Sequence, residues 1–252
     1  MIILVLILGA CVGSFCESFA SRFVLKKALF SSRSYCFFCE RKLGILELVP
    51  IFSFIFLKAK CKTCKKALPY SLLFSEILGS MLCLVAFLVS ESFKDFLLLF
   101  LFLSNLFLLS LIDLRLKAVP KSLLLSAFFL AFLLAFKKDE ILHFMLFMEF
   151  KDGFLINSFL FAGFIFLLKS FVSFFANIKR KEVLENLGDA DLIIISCIGG
   201  ITGLTNGFLT LFVACVLSLP FFIFSRQKEL AFIPFLSLAF VLVLLFKEFY
   251  EA

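Results

Sequence analysis

Two pairs of cysteines are the residues of this chain whose types and spacing most clearly suggest chemistry. The sequence CFFC contains Cys36 and Cys39, and CKTC contains Cys61 and Cys64. Two CxxC turns separated by about 20 residues match the ligand spacing of a four-cysteine zinc site, in which each turn presents two thiolates to a tetrahedral ion. The pattern predicts a structural Zn²⁺, because four thiolates leave no coordination position open for a substrate.

Disulfides and redox-active pairs are the alternatives for these two turns. A reducing cytoplasm disfavours disulfides, and redox-active CxxC pairs usually occur singly at the start of a helix in an α/β fold. The other cysteines lie in apolar stretches and are interpreted as small core residues: Cys11, Cys16, Cys83, Cys197 and Cys215.

Two aspartates stand at the edges of long apolar runs, Asp113 in LLSLIDLRLKAVP and Asp191 in LGDADLIII. An ionisable side chain at membrane depth is costly, so it is a candidate for a functional site. Each also has a plainer interpretation, since Asp191 or Asp189 can cap a helix and Asp113 can mark the membrane interface. Two carboxylates from separate helices can instead share a proton, so that one activates water while the other protonates a peptide.

The elements that must position these residues are membrane-spanning helices. Of the 252 residues, 63% are hydrophobic and 17% are charged. A helix needs about 20 apolar residues to cross a bilayer, and continuous rather than alternating apolarity excludes an outer-membrane barrel. We therefore expect an all-α, polytopic membrane helix bundle of about eight spans. The predicted spans are 2–20, 71–90, 96–112, 122–136, 154–178, 191–203, 207–224 and 230–249.

Lysine and arginine are concentrated in one set of loops. The segment 22–66 carries eleven of them. By the positive-inside rule this segment is cytoplasmic, which places the N-terminus outside. The net charge of +7 therefore needs no nucleic-acid partner. Further cations on the predicted cytoplasmic side are Arg115, Lys117, Lys121, Lys179, Arg180, Lys181, Arg226 and Lys228, and the opposite loops contain Lys94, Lys137, Lys138 and Lys151.

Seven motifs in order carry a family resemblance over nearly the whole chain: GACVGSF, CFFC, LELVPIFSF, CKTC, LLFSEILGSM, LIDLRLKAVP and LGDADLIII. The chain resembles the bacterial prepilin peptidases, the type IV leader peptidases and N-methyltransferases, which are aspartic peptidases with a GxGD-type motif. The resemblance implies that Asp113 and Asp191 are catalytic and that Gly188, Asp189 and Ala190 form the active-site turn. Asp189 falls on the variable position of this motif, so we expect it to be dispensable.

The resemblance also implies a domain organisation. Residues 1–23 would form the first transmembrane helix, 24–70 a cytoplasmic four-cysteine zinc loop, and 71–252 the transmembrane peptidase core. Glu47 and Glu76 are assigned to the substrate or cofactor environment. No residue is assigned to methyl transfer, since no glycine-rich nucleotide-binding fingerprint follows a strand.

The implied activity is a membrane-embedded endopeptidase of the bacterial inner membrane with its active site facing the cytoplasm. It would remove the basic leader of type IV prepilins or pseudopilins after a Gly and then methylate the new N-terminal amine with S-adenosylmethionine. Its partners would be these substrates and the lipid bilayer.

The chain departs from the family pattern at four positions. Ala190 replaces the second Gly of the motif, which is tolerated if the backbone there does not need a positive φ. Ile193 stands where Lys is usual, Lys121 where an acidic residue is common, and Glu17 where Asn is frequent. The first three differences affect the electrostatics or the backbone of the predicted site.

Two other classes of protein remain as alternatives. A presenilin-type intramembrane protease would share the acid pair but has no reason to carry two CxxC turns. A zinc-stapled, non-enzymatic membrane scaffold or transporter would explain those turns. It predicts that Asp113 and Asp191 can be replaced by Asn with little effect.

Overall fold

The computed structural model describes residues 1–28, 35–36, 38–39, 41–44, 47–135, 153–177, 188–225 and 230–251. The regular structure in these ranges is helical, apart from two isolated antiparallel bridges. The helices are α1 (Ile2–Val24), α2 (Phe52–Phe56), α3 (Tyr70–Val89), α4 (Phe93–Leu116), α5 (Lys121–Ala135), α6 (Phe154–Asn177), α7 (Asp189–Ser225) and α8 (Ile233–Glu251).

Within the described residues, five helices, α1, α3, α4, α6 and α7, are long and apolar enough to cross a membrane, and α5 and α8 contain shorter apolar stretches. The predicted all-helical, polytopic membrane fold is therefore confirmed. The short helix α2 was not expected within the cysteine-containing loop. Helix α4 continues to Leu116 rather than ending near 112, so Asp113 lies inside the helix and not at its end.

Helix α7 is interrupted at Gly203, where φ is 80° and ψ is 174°. This conformation is accessible essentially only to glycine. A Cβ atom on Gly207 would lie 3.1 Å from the Cα of Gly199, whereas an uninterrupted helix would separate these residues by about 12 Å. The chain therefore folds back at Gly203. The two halves, 189–202 and 204–225, correspond to the predicted spans 191–203 and 207–224.

The chain divides into two compact units, Met1–Leu116 and Lys117–Ala252. In the first unit, α1 packs along α3, and α4 packs against both. A Cβ atom on Gly13 would lie 2.1 Å from the carbonyl oxygen of Ser75, and one on Gly9 would lie 2.4 Å from that of Gly79. Small residues allow such close approach of helices in membranes. Gly9 and Gly13 therefore let the backbones of α1 and α3 come close together.

In the second unit, α7 packs against α5, α6 and α8. Phe161 of α6 is almost fully buried, at 1% exposure. Its ring lies against both halves of α7, since a Cβ atom on Gly199 would be 2.7 Å from it and one on Gly207 would be 3.3 Å from it. Glycines on α7 thus make room for an aromatic side chain of α6.

Several sequence predictions concern residues outside the described ranges. The predicted ends of two spans at Phe136 and Ile178 lie there, and so do these loop cations: Lys137, Lys138, Lys151, Lys179, Arg180, Lys181, Arg226 and Lys228. The predicted domain boundaries at 23/24 and 70/71 stay a prediction, and the packing itself divides the chain after Leu116.

Candidate functional site

The two CxxC pairs lie in turns of matching geometry, each closed by an isolated antiparallel bridge. In both turns the backbone N–H of the first cysteine donates to a carbonyl five residues on. Cys36 donates to Arg41 at 2.9 Å, and Cys61 donates to Lys66 at 3.0 Å. A repeated local structure therefore presents both pairs of thiols.

The four sulfur atoms form one cluster, with Cys36, Cys39, Cys61 and Cys64 all within 4.8 Å of one another. The pairs Cys36–Cys64 and Cys39–Cys61, each joining the two turns, are separated by 3.9 and 4.0 Å. Four thiolates bound to zinc at about 2.3 Å in a tetrahedron are about 3.8 Å apart. The cluster therefore fits a tetrahedral metal ion such as zinc, and the sulfur separations are far longer than a disulfide bond of about 2.05 Å.

The thiols of this cluster differ in acidity. The pKa of Cys61 is lowered to about 6, chiefly because the backbone N–H groups of Cys64 and Thr63 donate hydrogen bonds to its sulfur. Although the backbone N–H of Lys66 favours the thiolate of Cys64, burial and the neighbouring sulfur atoms raise its pKa to about 11. Thiolate is the form that binds metal. Four adjacent thiols ionise together only when a cation balances their charge.

Asp113 is buried, at 8% exposure, in the last turns of α4. Arg115, two residues later, forms an ion pair with Glu17 of α1, which is only 2% exposed. Ser71 at the start of α3 also donates to Glu17, at 2.9 Å. A charge pair between helices thus fixes the end of α4 that carries Asp113.

Asp191 is half-buried in the first turn of α7. The backbone N–H of Gly188 donates to its Oδ2 at 3.2 Å, an arrangement that satisfies one free N–H at a helix start. A Cβ atom on Gly188 would lie 3.2 Å from the same oxygen, so a side chain there would push against Asp191. Ala190 is helical, with no positive φ, and the condition for tolerating it in place of Gly is met.

Asp189 is exposed and points to α6 rather than into the protein. Its Oδ1 accepts from Nζ of Lys169 at 2.8 Å, and 93% of the Asp189 side chain is exposed. Exposed ion pairs of this kind contribute about 0–1 kcal/mol to the stability of a fold.

Asp113 belongs to the first compact unit and Asp191 to the second. Their role as a catalytic pair stays a prediction.

Glu47 and Glu76 both line a cavity of about 480 Å³ in the first unit. Glu47 accepts from Arg41 at 2.5 Å and from the backbone N–H of Gly44 at 2.8 Å. The Gly44 N–H and then the Arg41 guanidinium lower the pKa of Glu47, which keeps it ionised at neutral pH.

Glu76 of α3 connects three parts of the first unit. It accepts from Ser14 of α1 at 2.9 Å and from the backbone N–H of Ile51 at 2.6 Å. Ile51 precedes α2 and has a φ of +62°, so this hydrogen bond stabilises an unusual backbone conformation. The cysteine-containing loop is thereby attached to α1 and α3.

Sequence reasoning missed the ion pair between Glu17 and Arg115, which are 98 positions apart in the chain. The signal that could have found it is one acidic and one basic residue near the predicted cytoplasmic ends of neighbouring spans, because charges there usually pair. The two residues also line a second cavity, of about 400 Å³.

These features define a polytopic helical membrane protein with a four-cysteine loop domain able to hold a metal ion. Residues 7–90 match the family model of the bacterial peptidase A24 N-terminal domain. Over 135 residues the chain is 31% identical to the prepilin leader peptidase/N-methyltransferase of Bacillus subtilis (strain 168), an alignment that covers 54% of each protein. No solved structure matches the chain. The predicted resemblance to prepilin peptidases is confirmed, and the chain spans about half the length of this curated relative in the alignment.

Proposed function

We propose that this protein is a membrane-embedded aspartyl endopeptidase that removes the leader of type IV prepilins or pseudopilins after a Gly at the cytoplasmic face. The observation that carries the proposal is its similarity, over 135 residues, to a prepilin leader peptidase/N-methyltransferase. The match of residues 7–90 to the bacterial peptidase A24 N-terminal domain supports the same activity.

Asp113 and Asp191 are the proposed catalytic pair. Two close carboxylates share one proton, because both cannot ionise easily at short range. The ionised carboxylate takes a proton from water as the water oxygen attacks the scissile carbonyl carbon. The protonated carboxylic acid gives its proton to the substrate, and the leaving amine departs protonated as the C–N bond breaks.

The surroundings of each aspartate support these roles. Asp113 is buried within the last turns of α4, where Arg115 forms an ion pair with Glu17. Asp191 is oriented by the Gly188 N–H. A fixed carboxylate is advantageous, because misplacing a catalytic group by about 1 Å can lower the rate on the order of 10²-fold.

The metal held by the four cysteines is proposed to be Zn²⁺ with a structural role. Cys36, Cys39, Cys61 and Cys64 supply all four positions of a tetrahedron, which leaves none for substrate. The ion would fix the two turns together and so shape the cavity that they border.

A second proposed activity is methylation of the new N-terminal amine, for which S-adenosylmethionine would supply the methyl group. In that reaction the amine nitrogen forms a bond to the methyl carbon while the carbon–sulfur bond breaks and its electrons stay on sulfur. The proton lost by the amine passes to a base. The word methyltransferase in the name of the Bacillus relative supports this half of the proposal.

The proposed location is the bacterial inner membrane with the site facing the cytoplasm. The cation-rich segment 22–66 supports this orientation by the positive-inside rule. A site at the membrane edge suits substrates whose mature part begins with an apolar helix and is itself inserted in the bilayer.

Cleavage of a prepilin in membranes tests the proposal. Wild type should release a leader ending in Gly, whereas Asp113→Asn and Asp191→Asn should abolish turnover while the thermal unfolding midpoint is retained. Asp189→Asn is the matched control, since it makes the same change two residues away, and it should still cleave. The mass of the new N-terminus then reports whether a methyl group has replaced hydrogen.

Cleavage by both Asp→Asn variants would reject the catalytic pair. If folded wild type cleaves no prepilin-like substrate, the zinc-stapled scaffold or transporter becomes the better interpretation. Cleavage without the added mass would support the peptidase activity and contradict the methyltransferase activity.

A further inference from the structure

The 480 Å³ cavity lies where the cysteine-containing loop meets the ends of α1 and α3. Its volume is within the range of about 300–1,000 Å³ that is usual for small-molecule sites. Its lining residues all fall between Ser14 and Glu76, inside the segment that matches the peptidase A24 N-terminal domain. The proposed catalytic aspartates do not line it, so the cavity has no assigned role in cleavage.

Glu76 gives the cavity its main chemical character. The residue is only 6% exposed, and both of its oxygens are oriented by hydrogen bonds from Ser14 and Ile51. No lysine or arginine in the described part of the chain forms an ion pair with it. A buried carboxylate without a countercharge is unfavourable, and each carboxylate oxygen can interact with more than one partner. The wall of the cavity is therefore suited to a cationic group.

The other walls suit the remaining parts of a charged nucleoside. Lys27 and Lys60 line the cavity and can attract a carboxylate. Tyr35 and Phe54 add aromatic surface, on which a purine base can stack as it does on aromatic side chains of nucleic-acid-binding proteins. The cavity thus combines anionic, cationic and aromatic surface in one site.

We propose that this cavity binds the sulfonium methyl donor S-adenosylmethionine, with Glu76 opposite its cationic sulfur, an inference that rests on the methyl transfer in the proposed function. The donor carries a permanent positive charge on sulfur, an ammonium and a carboxylate, and these charges match the walls described above. The product S-adenosylhomocysteine has the same shape except for the methyl group, but its sulfur is neutral. A site built around Glu76 therefore distinguishes donor from product by charge.

Direct binding of these two compounds to full-length protein in nanodiscs tests the proposal, with isothermal titration calorimetry as the readout. Wild type should bind S-adenosylmethionine more tightly than S-adenosylhomocysteine. In Glu76→Gln the donor should bind at least tenfold more weakly, and the ratio of the two affinities should fall toward one. If Glu76 had only a structural role, Glu76→Gln would weaken the binding of both compounds equally and leave the ratio of their affinities unchanged.

Glu91→Gln is the control for loss of one carboxylate, because Glu91 is exposed just beyond the other end of α3. Its affinity ratio should equal that of wild type. Ser53→Leu provides a second variant that does not depend on Glu76, since Ser53 lines the cavity and a larger side chain there should weaken both compounds. Thermal unfolding midpoints identify the variants that are folded.

The outcomes separate this inference from the proposed function. Donor binding that is insensitive to Glu76→Gln and Ser53→Leu would overturn the inference, while methylation of cleaved prepilin would still stand. An unchanged affinity ratio in Glu76→Gln would also overturn it, since Glu76 would then not recognise the sulfonium. If wild type binds no donor and cleaved prepilin carries no added methyl mass, both the inference and the methyl-transfer half fail, while leader cleavage is judged by its own assay.

Discussion

At the residue scale, the environment of Asp191 depends on the absence of a side chain at Gly188. The Gly188 N–H donates to one carboxylate oxygen, and the position of a Cβ atom on Gly188 would be 3.2 Å from that same oxygen. A Cβ atom at this distance would require the Asp191 carboxylate to move. Gly188 therefore acts by leaving space for the carboxylate as well as by donating to it.

We predict that Gly188→Val displaces Asp191 and lowers the rate of prepilin cleavage on the order of 10²-fold. The measurement is the initial rate of leader release in membranes. Ala190→Gly is the matched control, because it alters the same turn at a helical residue and adds no atoms, and its rate should stay close to wild type. A Gly188→Val enzyme with the wild-type rate would contradict this account of the turn.

At the scale of elements, glycines set the distances between helices in both compact units. Gly9 and Gly13 let α1 contact the backbone of α3, and Gly199 and Gly207 make room for Phe161. Without a hydrophobic driving force inside the bilayer, such close packing supplies much of the association energy. The contacts near Gly13 also lie beside Ser14, which donates to Glu76.

Gly13→Ala is expected to destabilise the first unit, because the new Cβ would overlap the carbonyl oxygen of Ser75 at 2.1 Å. Overpacking typically costs about 1–3 kcal/mol, so the thermal unfolding midpoint in detergent should fall. Gly163→Ala in α6 is the control, since nothing beyond the adjacent residues and backbone of α6 lies within 4 Å of its Cβ position. Its midpoint should not fall. Equal midpoints for the two variants would mean that α1 and α3 are not held together in this way.

Gly203→Ala should strain the reversal of α7. The conformation at φ 80° and ψ 174° costs a residue with a side chain about 1–3 kcal/mol, although the Cβ itself would meet open space. We expect a lower unfolding midpoint than wild type with unchanged helix content by circular dichroism. If Gly203→Ala is as stable as Gly163→Ala, the backbone at position 203 does not need glycine.

At the scale of the whole molecule, the four-cysteine cluster and Glu76 attach the cysteine-containing loop to its membrane helices. The cluster joins two turns that are separated along the chain, and Glu76 joins α3 to α1 and to the residue before α2. Both sets of contacts border the same cavity. Loss of the metal is therefore expected to affect the cavity as well as the loop.

Metal analysis of purified protein should find about one zinc ion per chain. Cys36→Ser and Cys61→Ser should lower this content and the unfolding midpoint, because the free energy of metal binding contributes to folding. Cys215→Ser is the matched control, since Cys215 is an exposed cysteine of α7 outside the cluster, and it should retain full metal content. Wild-type protein that is free of metal after purification without chelators would reject the zinc assignment.

Three structural features of this protein were not predicted from the pattern of residues along the chain. The reversal at Gly203 was expected only as a gap between two spans, and α2 was not expected at all. Hydropathy predicts the end of α4 at the first charged residue, but the helix continues past Asp113 to Leu116 because a charged side chain does not interrupt the backbone hydrogen bonds.

The sequence by itself determined the helical membrane fold, the two CxxC turns and the family resemblance, because these depend on hydropathy and on spacing along the chain. Only the tertiary structure decided that Glu47 and Glu76 line one cavity. It also decided that Arg115 pairs with Glu17. Contacts between residues this far apart are set by how helices pack, and neither periodicity nor composition specifies which polar groups then meet.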